Sequence, residues 1–215
     1  MSTALSSFVS YVQPYIVNCP VPTLNRAVQD AIIDFCERTW IRQIDFTWNI
    51  TEDDVMEELN DAVDLDLSGV EGLRPIEVLS AQADGVNLEL KERKAVEAFP
   101  EWWNDSDSSV SYWYLVDNVT IRLYPVPVQD FTLFLRAAFR PQRDATTFDD
   151  DLYKDWVDII AEGAKARLFA MPAKPWTNPD AAALAHALYE QGLSRAKILV
   201  RRNYLPLRVF TKGWI

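Results

Sequence analysis

The chain has 215 residues, about half of them apolar and a quarter charged, which suits a folded protein with one substantial core or two small ones and excludes wholesale disorder. Its formal charge of −11 argues against a basic surface that grips nucleic acid. Two cysteines without metal-ligand spacing, no apolar run near ~18 residues and no basic start ahead of an apolar stretch point away from a disulfide framework, a zinc finger, a membrane span and a signal peptide.

Periodicity predicts a first helix over Thr3–Val12, followed by the breakers Pro20 and Pro22. A second helix is expected with Thr23 as its N-cap. It carries Leu24, Ala27, Val28, Ala31, Ile32 and Phe35 at i, i+3, i+4, i+7, i+8 spacing. It should end near Thr39, where aromatic and β-branched residues take over. Cys36 reads as a small core residue, and both thiols as reduced.

From Ile41 to Arg140 the pattern is mostly β. In "QIDFTWNI" Ile44, Phe46, Trp48 and Ile50 alternate with polar residues. A very acidic stretch follows and settles into alternation at Val63, Leu65 and Leu67. "RPIEVLSAQADGVNLEL" predicts a hairpin across Asp84-Gly85, and "VSYWYLVDNVTIRLYPVP" a second across Asp117-Asn118. Between them "AVEAFPEWWND" reads as a short helix or an irregular excursion. "FTLFLRAAFRP" completes the sheet. Five or six strands joined by hairpin turns imply an antiparallel sheet or small sandwich.

Two helices close the pattern. One runs about Asp149–Met171 with Leu152, Trp156, Ile159, Ile160, Gly163 and Leu168 near one face. The other is capped by Asn178, has Pro179 at its first position, and runs to about Asn203 through Leu184, Leu188, Leu193, Ala196 and Leu199. Both are rich in alanine and glycine, which allows close axis approach and suggests an antiparallel helical hairpin. The expected fold is α+β: a helical bundle built from both chain ends (1–40 and 145–205), an inserted antiparallel β-domain (41–144) and an extended tail (206–215).

Little in the chain suggests chemistry. His186 is the single histidine and has no partner at any catalytic spacing; a structural role suits it better. Six glycines leave no phosphate-cradling loop, and no nucleophile or metal motif is present. The acids at 61, 64 and 66 are out of register for a calcium loop. Trp102, Trp103, Tyr112, Trp113 and Tyr114 could stack on bases, but such grooves are basic and this stretch is acidic, so core and subunit contacts account for it better. Eight tryptophans in all belong in a core or at interfaces. Charge is uneven: residues 1–179 hold 15 basic against 30 acidic side chains, residues 180–215 hold 6 against 2. A basic end on an acidic body suits contact with an acidic surface, although cations late in a helix also suit its dipole.

The order of these pieces resembles the tailed-bacteriophage head-to-tail adaptor proteins, also called head-completion or connector proteins. The likeness lies in Ala31, Phe35, Cys36 and Thr39 on a helix running into a strand, in the strand end "LYPVP" (123–127) after a β-section, in the acidic, small-residue helix "DDDLYKDWVDIIAEGAKARLF", and in the closing helix from "NPDAAALAHALYEQGLSRAKILVRRN". Residues 51–63 are more acidic than that pattern.

The resemblance implies a homo-oligomeric ring, usually of twelve subunits, under the capsid portal in the neck of the virion, made in the host cytoplasm. Its partners would be the portal protein and a downstream tail or neck protein. Double-stranded DNA would pass through without tight binding. No cofactor, metal, membrane or catalysis is implied. Asp53, Asp54, Glu57, Glu58 and Asp61 are then expected to repel DNA from a channel wall or to face a partner. Tyr204, Leu205, Leu207, Arg208, Val209, Phe210, Lys212, Trp214 and Ile215 are expected to dock on the portal, being too apolar for a solvated tail. An acidic cytosolic binding protein, or a metal-dependent enzyme subunit, stays open beside this reading.

Overall fold

In a computed structural model, residues 2–51, 64–99, 106, 107, 109–117 and 119–202 are described. The fold is α+β. The helices are α1 (Leu5–Val9), α2 (Val21–Thr39), α3 (Arg93–Val96), α4 (Asp150–Phe169) and α5 (Pro179–Arg201). The strands are β1 (Ser2–Ala4), β2 (Gln43–Ile50), β3 (Asp64–Asp66), β4 (Leu73–Ala83), β5 (Val86–Asn87), β6 (Glu89–Leu90), β7 (Ser106–Asp107), β8 (Tyr112–Leu115), β9 (Thr120–Tyr124), β10 (Val126–Pro127), β11 (Phe131–Pro141) and β12 (Thr147–Asp149). They divide between two compact units, one from Met1–Ile41 with Arg143–Ile215, the other Arg42–Gln142.

The first unit begins differently from the helix expected over Thr3–Val12. Residues 2–4 pair antiparallel with β12, Ser2 opposite Asp149, and the Thr3 hydroxyl donates to the Asp150 carboxylate at 2.5 Å. An isolated short helix gains little, so the ladder takes these residues and leaves α1 a single turn. Likewise α2 starts before Thr23. Pro20 sits at its cap and Pro22 in its first turn, where a missing N–H costs nothing and φ is preset. It ends at Trp40, whose left-handed φ of 54° turns the chain while its N–H reaches the Cys36 carbonyl at 3.0 Å. The core joins Ile32, Phe35 and Cys36 of α2, Trp156, Ile160 and Ala164 of α4, and Tyr189, Leu193 and Ala196 of α5. Phe35 lies 5.4 Å from Trp156, and Phe8 of α1 meets Phe148 and Tyr153 edge-on.

The second unit holds two four-stranded sheets, ordered β2–β11–β4–β5 and β3–β9–β8–β6, around one core. The strand expected to complete a sheet, β11, is central. It pairs antiparallel with β2 and with β4, so that Leu135 stands between Phe46 and Ala81. Leu133 and Leu135 point inward by alternation. Beyond them the register against β4 shifts twice, and Ala137, Ala138 and Phe139 are buried in succession. Both expected hairpins form. Asp84 and Gly85 have φ of 48° and 80°, which a two-residue turn between right-twisted strands requires. The Asp117 carboxylate accepts from the Val119 and Thr120 amides at 2.8 Å, which holds its pKa below the usual carboxylate range. Two short pairings are parallel, β6 with β8 and β7 with β10, a departure from the all-antiparallel expectation. For β6 the cause is visible in the backbone: Leu88 bonds to Ala81 of the first sheet and Glu89 to Ser111 beside the second, so residues 86–91 cross from one sheet to the other. Trp113 and Tyr114 are buried, and Phe99 and Tyr112 stack on Tyr124.

Candidate functional site

Among the described residues no three of His, Cys, Asp and Glu gather as a metal site. His186 lies on the outside of α5, its Nε2 3.7 Å from Glu190. An open depression of about 470 Å³ is lined by Pro22, Asn25, Arg26, Gln29, Asp30 and Arg143. Both guanidinium groups there face Asp30, at 4.0 and 3.4 Å, so their charge is partly answered. No described helix is long and apolar enough to cross a membrane.

What the first unit does build is a well-tied helical frame carrying exposed apolar surface. Its polar seam ties α2, α4 and α5 together. Arg38 grips Glu190 with two bonds of 2.6 and 2.7 Å, Arg167 lies 3.5 Å from Asp34, and the Tyr189 hydroxyl donates to Asp34 at 2.7 Å. The Arg38 bonds hold the Glu190 carboxyl below its usual range. Burial first, then the bond to Asp34, pushes the Tyr189 phenol far above its ordinary value. Gly163 faces the Tyr189 ring and Gly192 faces Ile159, so α4 and α5 run antiparallel in close contact.

That close contact shifts the face expected on α5: Leu193 and Ala196 are buried as expected and Leu199 is half-buried against the core, but the first two leucines are not. Ala185, Tyr189, Gly192, Leu193, Ala196 and Val200 are buried, while Leu184 and Leu188 are exposed. Small residues turn inward because they let the helices approach, and Leu184 and Leu188 turn outward while Leu193 stays in the core. Leu184, Leu188, Gln191, Arg195 and Ile198 thus share one outward stripe at i, i+4, i+7, i+11, i+14 spacing. Leu184 is 65% exposed and Ile198 51%. Arg195, Arg201 and Arg202 are exposed beside it and make no ion pair among the described residues.

A second exposed apolar patch follows α1. Tyr15 is 62% and Val17 67% exposed, with Tyr11 nearby. The two tyrosines rest on α4: Tyr11 meets Tyr153 at 6.0 Å between ring centroids, and the Lys165 ammonium lies 4.3 Å over the Tyr15 ring. The neighbouring Tyr153 phenol first, and the Asp158 carboxylate to a lesser extent, raise the Tyr11 pKa. Asp151, Asp155 and Asp158 are exposed on the same helix.

Both residue sets singled out from sequence, Asp53, Asp54, Glu57, Glu58 and Asp61, and Tyr204, Leu205, Leu207, Arg208, Val209, Phe210, Lys212, Trp214 and Ile215, lie outside the described residues. Sequence reasoning places no site on the α5 stripe, although a signal for it is present: Ala185, Gly192 and Ala196 keep one phase of the helix, Leu184, Leu188 and Ile198 another.

No curated protein matches the chain. A family model described as SU10 adaptor protein matches residues 3–210, nearly the whole chain. The chain belongs to that family, a family of bacteriophage head-to-tail adaptors.

Proposed function

We propose that this adaptor is a structural virion protein that assembles as a ring under the portal, with the twelve subunits usual in such rings, joins capsid to tail, and lines part of the DNA conduit without catalysing a reaction. The observation that carries this reading is the family match over residues 3–210. The chain's own physics supports it. Exposed apolar side chains on a hydrogen-bonded helical frame suit subunit contacts. A net charge of −11 suits a passage through which DNA slides, since fixed basic groups would retain phosphates. Within this reading Asp53, Asp54, Glu57, Glu58 and Asp61 face the DNA or a partner. Residues 204–215 dock on the portal, with Phe210 and Trp214 as anchors and Arg208 and Lys212 steering. The location is the neck, between portal and tail protein.

Electron microscopy of the protein mixed with its cognate portal tests the proposal. A ring of density coaxial with the portal is expected. One bound copy per portal, or no binding, overturns it.

A further inference from the structure

We infer that the outward stripe of α5, Leu184, Leu188, Arg195 and Ile198, docks head to tail on the Tyr11–Val17 segment and Asp158 of a second copy of this chain; the inference rests on the ring reading above. A closed ring of identical subunits needs two different faces on each one, because a self-complementary face closes at two. The first unit has two such faces. Both α1 and α5 pack on the α2–α4 pair. On α4 the residues meeting α5 are Ile159 and Gly163, whereas those meeting the α1 side are Tyr153 and Lys165. At 100° per residue these two sets are separated by about 80–160° around the helix and mark different sides of it. The exposed Tyr15, over Lys165, and the neighbouring Val17 therefore belong to a different side of α4 from the exposed Leu184 and Ile198 of α5.

Charge separates the two faces further. The α5 face carries Arg195, Arg201 and Arg202; the other carries Asp158, whose carboxylate acts on Tyr11. Each is apolar with a charged margin, and the margins are of opposite sign, so one copy's α5 complements the next copy's α1 side. The polar seam of Arg38, Asp34, Glu190 and Tyr189 keeps α5 fixed on α2, so the stripe is presented without prior ordering.

Two variants of the full chain test this on the cognate portal, by mass photometry alongside thermal melting. Leu184→Glu/Ile198→Glu puts acids on the α5 face; Tyr15→Lys/Val17→Lys puts bases on the other face. Each should melt like the wild type and need at least about 100-fold more protein to form rings. Mixed in equal amounts without portal, the two variants retain one intact junction between them and should give a one-to-one pair and nothing larger. If the wild type forms no ring, the ring reading and this inference both fail. If the wild type forms rings and either variant does so at the same concentration, the ring stands and the inference fails. Pairing of the Tyr15/Val17 variant with itself assigns α5 to a self-complementary contact and overturns the proposal. An α5 variant that melts early yet still enters rings assigns the stripe to the chain's own C-terminal residues and likewise overturns it. Should a variant melt early without forming rings, Leu184→Ser/Ile198→Ser and Tyr15→Ser/Val17→Ser repeat the test, and wild-type assembly by either overturns the inference.

Discussion

Two glycines set the distance between α4 and α5. A methyl group at Gly192 would run into Ile159, and one at Gly163 would come within 2.8–2.9 Å of the Tyr189 ring. Gly192→Ala should gain about 1 kcal/mol of helix propensity and lose about 1–3 kcal/mol to overpacking. Chemical denaturation should therefore show a net loss, and adding Ile159→Val should recover part of it. Tyr189 makes a second test through pH. Its phenol is raised in the folded chain, so its contribution is complete below the unfolded value near 10 and lost as pH rises beyond it. Asp45 and Glu190 act in the opposite range. Arg136 and Arg38 lower their folded values, so the unfolded chain binds more protons, and stability falls as pH drops below about 4. Tyr189→Phe should flatten only the alkaline fall and cost roughly 1 kcal/mol at neutral pH, because Asp34 keeps Arg38 and Arg167. Urea titrations across pH measure both effects.

Elements succeed here where local chemistry is complete and shift where a distant partner offers more. The start of α5 is complete: Asn178 accepts the Ala181 N–H at 3.1 Å and Pro179 follows. Asn178→Ala should cost about 0.5–2 kcal/mol, read as a lower thermal midpoint with an unchanged fold. The β4–β5 hairpin is complete too, since Asp-Gly adopts the φ values its turn needs. By contrast, "STALSSFVSYV" has helical spacing, yet its first residues join β12 because that strand supplies a ladder and Asp150 supplies an acceptor. The outward turn of Leu184 and Leu188 has the same origin, contact with α4 and not local preference.

For the whole molecule, charge and the chain end make the remaining predictions. Asp53, Asp54, Glu57, Glu58 and Asp61 are replaced together by lysine, with thermal melting as the check that the fold is kept. If these acids line the conduit, assembled rings should acquire DNA binding that weakens steeply with salt in a filter or anisotropy assay. Rings with no new DNA affinity place the run elsewhere. Deleting residues 204–215 should leave the melting temperature unchanged and abolish portal binding. Early melting, or undiminished binding, would count against portal docking by this segment.

The sequence by itself determined α2, the two hairpins, the Asn178 cap, the α+β class and the adaptor family. Each rests on short-range spacing or on the order of motifs, which survive without coordinates. Only the tertiary structure decided that β11 lies between β2 and β4, that residues 86–91 cross between sheets, and which phase of α5 faces α4. Strand neighbours are chosen by contacts between residues far apart in the chain. An alanine-rich helix has no strong apolar stripe of its own, so its buried side is set by how closely a neighbour can approach. At Gly163 and Gly192 that approach leaves no room for a side chain, and it turns Leu184 and Leu188 of α5 outward.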